Sequence, residues 1–157
     1  MRVFLDTNVL ASAAATRGLC ADVLREVLTS HELLTSAQVL NELERVFRSK
    51  FGIPQDLIAD FISLLSQDIV LAKPGAVPTV EIKDESDLPI LSAAISAKAD
   101  VFVTGDKEIL GTRQAEKMAT LSPRELWGET YGPTKAYSRT RKAAPLTLKT
   151  VSGLEYP

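Results

Sequence analysis

The sequence has almost none of the residues that build disulfides or zinc sites. It contains one cysteine, Cys20, and one histidine, His31, among 157 residues. No disulfide can form within the chain, and a zinc site, which takes several cysteine or histidine ligands, is not expected. A single thiol inside the apolar pattern of a helix is interpreted as inert packing. Nothing in the composition therefore requires an oxidising compartment.

The chain also lacks long hydrophobic runs. No stretch approaches the ~20 apolar residues that a membrane-spanning helix needs, and the N-terminus has no signal-peptide core. We therefore expect a cytoplasmic protein without membrane association. With 45% hydrophobic and 24% charged residues, the composition is globular. A length of 157 residues suits one domain with its own core.

Charge is unevenly distributed along the chain. Residues 129–157 contain five basic and two acidic side chains, a net charge of +3, which leaves −5 for residues 1–128 and −2 overall. The terminal segment is rich in Pro, Thr and Ser, so we expect a globular domain at 1–128 and a basic tail at 129–157. The simplest interpretation is a flexible tail. An RNA-attracting arm is the alternative, and residues 146–151 could form one edge strand.

Short apolar runs alternate with helical patterns. Strands are predicted at residues 3–5, 33–35, 69–71 and 101–103, and helices at 18–30, 36–47, 55–66 and 87–98. This alternation predicts an α/β fold with a central, mostly parallel sheet. The helix at 55–66 is apolar over more than half its circumference, so it needs two neighbours. No dinucleotide-binding fingerprint follows the first strand.

Four carboxylates occupy positions where a solvated acid is not expected. Asp6 ends the first strand within Asp-Thr-Asn, and Asp106 ends a later strand within Val-Thr-Gly-Asp. Glu42 lies on the flank of a helical apolar stripe. Asp87 precedes Leu91 by one helical turn and is predicted to point with it towards the sheet. For Asp6 and Asp87, capping of a helix N-terminus is an alternative explanation.

Convergence of four acids would require bound cations. Two unit charges about 4 Å apart still repel by roughly 4 kcal/mol at an effective dielectric of 20. Ligands that are all oxygen suit Mg²⁺ or Mn²⁺, as one or two ions. Such a centre suits phosphodiester hydrolysis by an activated water, and no covalent nucleophile is needed.

The ordered set of motifs resembles a PIN domain, most of all the VapC-like toxin ribonucleases of toxin–antitoxin systems. The resemblance spans roughly residues 1–127 and rests on Asp-Thr-Asn after the first strand, a helical Glu, an Asp-x-x-x-Leu-x-x-Ala helix and Val-Thr-Gly-Asp. It implies a three-layer α/β/α PIN fold and a metal-dependent endoribonuclease that uses Mg²⁺ or Mn²⁺. It also implies an RNA substrate, a small antitoxin protein as partner and a homodimer.

The resemblance assigns roles to the four acids. Asp6 and Asp106 would be the principal metal ligands, and Glu42 and Asp87 would be further ligands or water orienters. A cationic side chain of the antitoxin could pair with Asp6 and Asp106 and displace metal. An apolar groove that could bind an amphipathic helix of the antitoxin is expected along this protein's helices at 18–30 and 55–66. The second of these helices also offers a surface for the dimer.

Supporting roles around the acids are also expected. Gly105 would let backbone approach the substrate closely, and the hydrogen-bond partners of the site would be Thr7, Asn8 and Thr104. Two nearby acids are less defined. Asp84 is interpreted as a solvated loop residue rather than a metal ligand. Glu108 stands where members of the resembling family often carry Asp, which leaves its role open.

Functions other than a toxin ribonuclease share some of these sequence features. A phosphatase of the haloacid dehalogenase type also begins with an apolar strand and Asp, but it needs a second Asp where Asn8 stands. That alternative fails at this residue. Two alternatives remain open: a housekeeping PIN nuclease that processes RNA, and a catalytically silent PIN-type module that binds RNA or protein.

Overall fold

Six short strands form the centre of the structure, a computed structural model that describes residues 1–67 and 69–131. The strands are β1 (Arg2–Leu5), β2 (Glu32–Ser36), β3 (Ile69–Ala72), β4 (Val101–Val103), β5 (Gln114–Ala115) and β6 (Met118–Leu121). The helices are α1 (Thr7–Ala15), α2 (Leu19–Ser30), α3 (Ala37–Ser49), α4 (Gln55–Gln67), α5 (Leu88–Ser96), α6 (Lys107–Gly111) and α7 (Pro123–Tyr131), with a one-turn 3-10 helix at Glu85–Asp87. None of these described helices is long and apolar enough to cross a bilayer.

Strands β1 and β4 lie side by side in the middle of the sheet. The strand order is β3-β2-β1-β4-β6-β5, and every neighbouring pair is parallel except β5 with β6. The two central strands are apolar and buried throughout except at Arg2, as strands covered on both faces must be. Phe4 stacks on Phe102 across them, with ring centroids 5.3 Å apart. Their carboxyl ends therefore meet at the same edge of the sheet.

The connections place helices on both faces of this sheet. The chain moves from β1 to β2 to β3 in one direction through α1–α4, then returns to β4 through α5. Because parallel crossovers are right-handed, the reversal of direction moves the connection to the opposite face. Helix α1 packs against α2 and α3, α3 against α4, and α7 against α2, whereas α5 packs on β2 and β3. The expected three-layer α/β/α arrangement is confirmed.

The strongly periodic segments of the sequence are confirmed as elements. The predicted strands correspond to β1–β4, and the predicted helices to α2, α3, α4 and α5 within a few residues. The Ser36 side chain caps α3 by accepting from the Val39 backbone N–H at 3.3 Å. The apolar pattern of residues 18–30 predicts a buried helix face that includes Leu28, but this assignment is wrong in detail, because Leu28 is 37% exposed.

Helix α1 is an element that the sequence pattern did not predict. It begins directly after Asp6, whose side chain accepts from the Thr7 backbone N–H at 2.8 Å. The helix TNVLASAAA is rich in alanine, and most of its residues are buried. Because it is covered on most sides, no alternation of polar and apolar positions marks it in the sequence.

Helix α7 crosses the expected boundary between residues 128 and 129. It continues to Tyr131, whose hydroxyl donates to a carboxylate oxygen of Glu26 in α2. The Tyr131 ring centroid lies 4.4 Å from that of Trp127, which is buried in the core. The division at 128 stays a prediction, and packed structure extends at least three residues past it. Residues 132–157, with the predicted edge strand at 146–151, lie outside the described residues.

Candidate active site

The candidate site lies at the carboxyl ends of β1 and β4, where the sheet reverses its winding direction. The connection from β1 leads towards β2, while the connection from β4 leads the other way towards β6. A crevice forms beyond the strand ends at such a reversal, and ligands of open α/β sheets bind there. Asp6 directly follows β1, and Asp106 follows β4 by three residues. Both strand-end acids therefore lie at the edge of the sheet where such a crevice is expected.

Asp6 is the most buried of the four acids, at 8% exposure. Its Oδ1 accepts from the Thr7 backbone N–H and its Oδ2 from the Thr104 hydroxyl, each at 2.8 Å. Burial raises the pKa of Asp6 above its usual value, although these two hydrogen bonds oppose the change; the negative charges of Glu42 and Asp106 raise the pKa further. Each carboxylate oxygen retains a lone pair for another ligand.

Thr104 connects the two strand-end acids. Its hydroxyl donates to Asp6 and accepts from the backbone N–H of Asp106 at 3.0 Å. The Asp106 side chain in turn caps α6, because its Oδ1 accepts from the Glu108 N–H at 2.8 Å and the Ile109 N–H at 3.4 Å. The first turn of a helix favours a carboxylate in this position. Thr104, predicted as a supporting residue, thus fixes both acids to one hydroxyl group.

Glu42 reaches the same region from α3. Its Oε2 accepts from the Thr7 hydroxyl at 2.9 Å, and its Oε1 accepts from Gln38 Nε2 at 3.3 Å. Thr7 therefore contacts Asp6 through its backbone and Glu42 through its side chain. The half-buried Glu42 lies beside the buried stripe of α3, as the sequence predicted.

Asp87 stands at the end of the 3-10 turn and is half-buried. Asp87 occupies the N-cap position of α5, as the alternative explanation expected, but its side chain makes no capping hydrogen bond. Burial, followed by the negative charges of Asp6, Asp84, Asp106 and Glu42, raises the pKa of Asp87 to about 6. Asp87 is thus close enough to the other three acids to be influenced by each of them.

Asp84 is an exposed acid of the preceding loop, as predicted. Its Oδ1 accepts from the Ser86 hydroxyl at 2.6 Å and the Ser86 backbone N–H at 3.0 Å. These hydrogen bonds hold the pKa of Asp84 below its usual value. Its side chain organises the turn that leads into Asp87.

The four acids fit a hard divalent cation by chemistry. All their donors are oxygens, they come from four different elements, and they share one electrostatic environment. The salt bridges within residues 1–67 and 69–131 lie elsewhere, at Arg2–Glu32, Arg25–Asp22 and Arg48–Glu44. In the same residues, no three acidic, histidine or cysteine side chains are close enough to hold one ion together. Joint coordination would therefore require the acidic side chains to rotate towards one another.

The remaining predicted residues border the acids. Asn8 is exposed, and its Oδ1 accepts from the Gly105 N–H at 3.3 Å. A Cβ at Gly105 would lie 3.7 Å from that oxygen, an ordinary contact, so local packing alone does not require glycine there. Glu108 Oε1 accepts from the Lys83 backbone N–H. Glu108 thereby ties α6 to the loop that precedes Asp87.

Gln38 is a residue of this region that sequence analysis missed. Its Nε2 donates to Glu42 Oε1 at 3.3 Å and to the Ser86 backbone carbonyl at 3.1 Å. The only signal in the sequence was spacing, since residues four apart on a helix face each other. The second contact joins positions 48 apart and could not be read from any local pattern.

Comparison with known proteins adds a family and a fold. A family model for the PIN domain matches residues 2–108. The crystal structure of VapBC2 from Rickettsia felis, bound to a DNA fragment from their promoter, contains a chain of similar fold. That chain is 19% identical in sequence and aligns with a TM-score of 0.57 over 78% of this protein and 98% of its own length. No protein of curated function matches the sequence. At this level of identity, the structural likeness concerns the fold alone.

Proposed function

The chain belongs to the PIN domain family, and from this premise we propose that it is a metal-dependent endoribonuclease acting in the cytoplasm. The observation that carries the proposal is that Asp6, Glu42 and Asp106 are linked by hydrogen bonds through Thr7 and Thr104 near the reversal of the sheet, and that the charges of these three acids also act on Asp87. The family's general association with nucleases supports it. The proposed cofactor is Mg²⁺ or Mn²⁺, and the substrate is RNA.

The electrostatic state of the four acids supports a cation-binding role. Repulsion from neighbouring acids contributes to the raised pKa of both Asp6 and Asp87. Burying carboxylates of like charge close together destabilises a fold, because each charged group loses contact with water at a cost in free energy. Their presence together is therefore better explained by a function than by stability. Groups with perturbed pKa values in a crevice are candidates for function.

The side chains have distinct tasks in this proposal. Asp6 and Asp106 would bind the cation, with Asp6 held in place by two hydrogen bonds. Glu42 and Asp87, which are less buried than Asp6, would complete the coordination or orient the attacking water. When bound, Mg²⁺ or Mn²⁺ would acidify that water and offset the charge on the phosphoryl oxygens. The exposed Asn8 side chain and the Gly105 backbone border the path by which a phosphate would enter.

We further propose that the protein is the toxin of a toxin–antitoxin pair. The carboxylates could bind a cationic side chain of a small antitoxin through charge-assisted hydrogen bonds. Inhibitor and metal would then compete for the same acids. The apolar groove is proposed along α2 and α4, which lie in one layer and are linked through α1 and α3. The similarity to a chain of the VapBC2 structure is consistent with such a partner.

A homodimer through α4 is part of the same proposal. Three apolar side chains of this helix, Leu57, Ile62 and Leu64, are only half-buried. The adjacent edge strand β3 exposes Leu71 at 53%. Apolar surface of this kind is typical of an interface. Sedimentation equilibrium should give a dimer, and Leu64→Glu should shift the protein towards monomer.

The test of the proposed activity uses the full chain and a mixed RNA pool. Cleavage should require Mg²⁺ or Mn²⁺ and should stop when EDTA is added. Asp6→Asn and Asp106→Asn should abolish cleavage, while circular dichroism shows that the fold survives. The matched control is Asp60→Asn, which removes an exposed carboxylate from α4 and should leave cleavage unchanged.

Two results would contradict the proposal in different ways. Cleavage that persists in EDTA would exclude the metal mechanism. A folded, metal-loaded chain that cleaves no RNA would instead favour the catalytically silent module that binds RNA or protein. If cleavage is confirmed but the chain is harmless in cells, a housekeeping nuclease that processes RNA becomes the better account.

A further inference from the structure

The Gln38 amide contacts the side chain of one acid, Glu42, and the backbone carbonyl of Ser86, the residue before Asp87. We propose that Gln38 is a positioning residue, which holds Asp87 in register with Glu42 so that both can contact the same bound cation. The proposal rests on the metal-dependent function argued above. Gln38 is uncharged and is not one of the four acids, so this role is separate from those proposed for the metal ligands.

The orientation of the Gln38 amide is fixed by its two partners. Both partners are acceptors, namely a carboxylate oxygen of Glu42 at 3.3 Å and the Ser86 carbonyl oxygen at 3.1 Å. Only the amide nitrogen can donate to them, and it has two hydrogens to do so. The amide therefore serves as a bridge with one hydrogen bond on each side.

The contact with Ser86 acts directly on the backbone of Asp87. The carbonyl of Ser86 and the N–H of Asp87 belong to the same planar peptide unit. Gln38 holds that unit by its carbonyl, while the Asp84 carbonyl accepts from its N–H at 3.2 Å. With both polar groups of the peptide engaged, the direction in which the Asp87 side chain leaves the backbone is restricted.

The contact with Glu42 completes a chain of hydrogen bonds through the site. It runs from Asp6 to the Thr7 backbone, from the Thr7 hydroxyl to Glu42, and from Glu42 through Gln38 to Ser86. Without Gln38, the loop end that carries Asp87 loses this link to α3. Groups that orient metal ligands in this way typically change metal affinity by about 10-fold to 100-fold when removed.

The test compares Gln38→Met with Gln55→Met in the full chain. Methionine keeps the length of glutamine but donates no hydrogen bond. Gln55 is a matched control, because its Nε2 also donates to a glutamate, Glu44, at 2.8 Å, yet it lies on the exposed start of α4. We expect Gln38→Met to weaken Mn²⁺ binding about 10-fold in calorimetric titration. Gln55→Met should leave the dissociation constant unchanged.

Two further measurements separate positioning from a general loss of structure. In metal-free protein, Gln38→Met should speed amide hydrogen exchange in residues 84–88 while leaving exchange in α2 unchanged. In an Asp87→Asn background, the effect of Gln38→Met on Mn²⁺ affinity should largely disappear, because two residues that act through one contact are not additive.

The outcomes distinguish a failure of the proposed metal-dependent function from a failure of the role proposed for Gln38. If the wild type binds no Mn²⁺, both the proposed function and the role of Gln38 are overturned. If the wild type binds Mn²⁺ and Gln38→Met binds it equally well, only the role of Gln38 is overturned. An equal loss with and without Asp87→Asn would also overturn it, because Gln38 would then not act through Asp87.

Discussion

Thr104 and Asp6 directly follow two different strands, β4 and β1, and are joined across 98 positions by a hydrogen bond of 2.8 Å. The same hydroxyl accepts from the backbone N–H of Asp106 at 3.0 Å. Thr104 is completely buried, so no water can replace it in either contact. One threonine thus sets the spacing between the two acids proposed as the principal metal ligands.

Replacing Thr104 by Val should therefore cost stability as well as function. The isosteric change leaves a buried carboxylate oxygen and a backbone N–H without a partner, a loss of about 1–3 kcal/mol in the free energy of unfolding. Urea titration should show a lower midpoint with an unchanged slope. Thr104→Ser, which retains the hydroxyl, should lose less. A Thr104→Val variant as stable as the wild type would contradict the role of the hydroxyl.

The metal-free protein should lose stability as the pH rises from about 4 to about 6. The pKa of Asp87 is about 6 in the folded chain, against an ordinary value of 3.8 for this carboxyl group, so the folded state binds this proton more tightly than the unfolded state. The stabilisation is complete below the unfolded value and disappears as the pH passes through the folded one. The raised pKa of Asp6 acts in the same direction.

Asp87→Asn should flatten this pH dependence. Melting temperatures measured in EDTA between pH 4 and pH 7 should fall less steeply in the variant, since one of the contributing protons is removed. Asp60→Asn is the control, and its profile should follow the wild type. An Asp87→Asn profile identical to the wild type would show that the pKa of Asp87 is not raised in the folded protein.

The strand-end acids could be predicted because their signal is local. An apolar strand that ends in a carboxylate is visible in a few residues around Asp6 and Asp106, and the period of an amphipathic helix places Glu42 beside a buried stripe. Thr104 was expected as a hydrogen-bond partner of the site, but the particular contacts that connect these acids, and the involvement of Gln38, could not be predicted. Thr104 contacts Asp6 across 98 positions, and Gln38 contacts Ser86 across 48. Such pairs depend on strand order and helix packing, which no short window contains.

Helix α1 and the order of the strands in the sheet are likewise features that local sequence patterns could not predict. Alternation of strands and helices predicted a parallel sheet, but not that β1 and β4 would be its central neighbours. A fully covered helix such as α1 has no polar face for a periodic pattern to detect. Only the resemblance to a known family, through several motifs in a fixed order, indicated which acids belong together.

Deleting residues 133–157 should leave folding largely intact. The apolar core includes Leu126 and Trp127, and the packed helix α7 ends at Tyr131, which the truncated chain retains. Thermal melting should show a transition close to that of the full chain. If the basic tail attracts RNA, the deletion should weaken RNA binding and flatten its dependence on salt. A truncated chain that fails to fold or to dimerise would show that the tail is structural.

The antitoxin proposal predicts toxicity that depends on both the acids and a neighbouring gene. Expressed alone in its native host, the chain should arrest growth, because a free ribonuclease would damage cellular RNA, whereas Asp6→Asn should be harmless. Co-expression with the product of the adjacent small open reading frame should restore growth and give a complex. Excess Mn²⁺ should weaken that complex, since a cationic side chain and the metal would compete for the same carboxylates. Harmless expression of the wild type, or no complex with the neighbour, would remove the toxin function and favour a housekeeping nuclease.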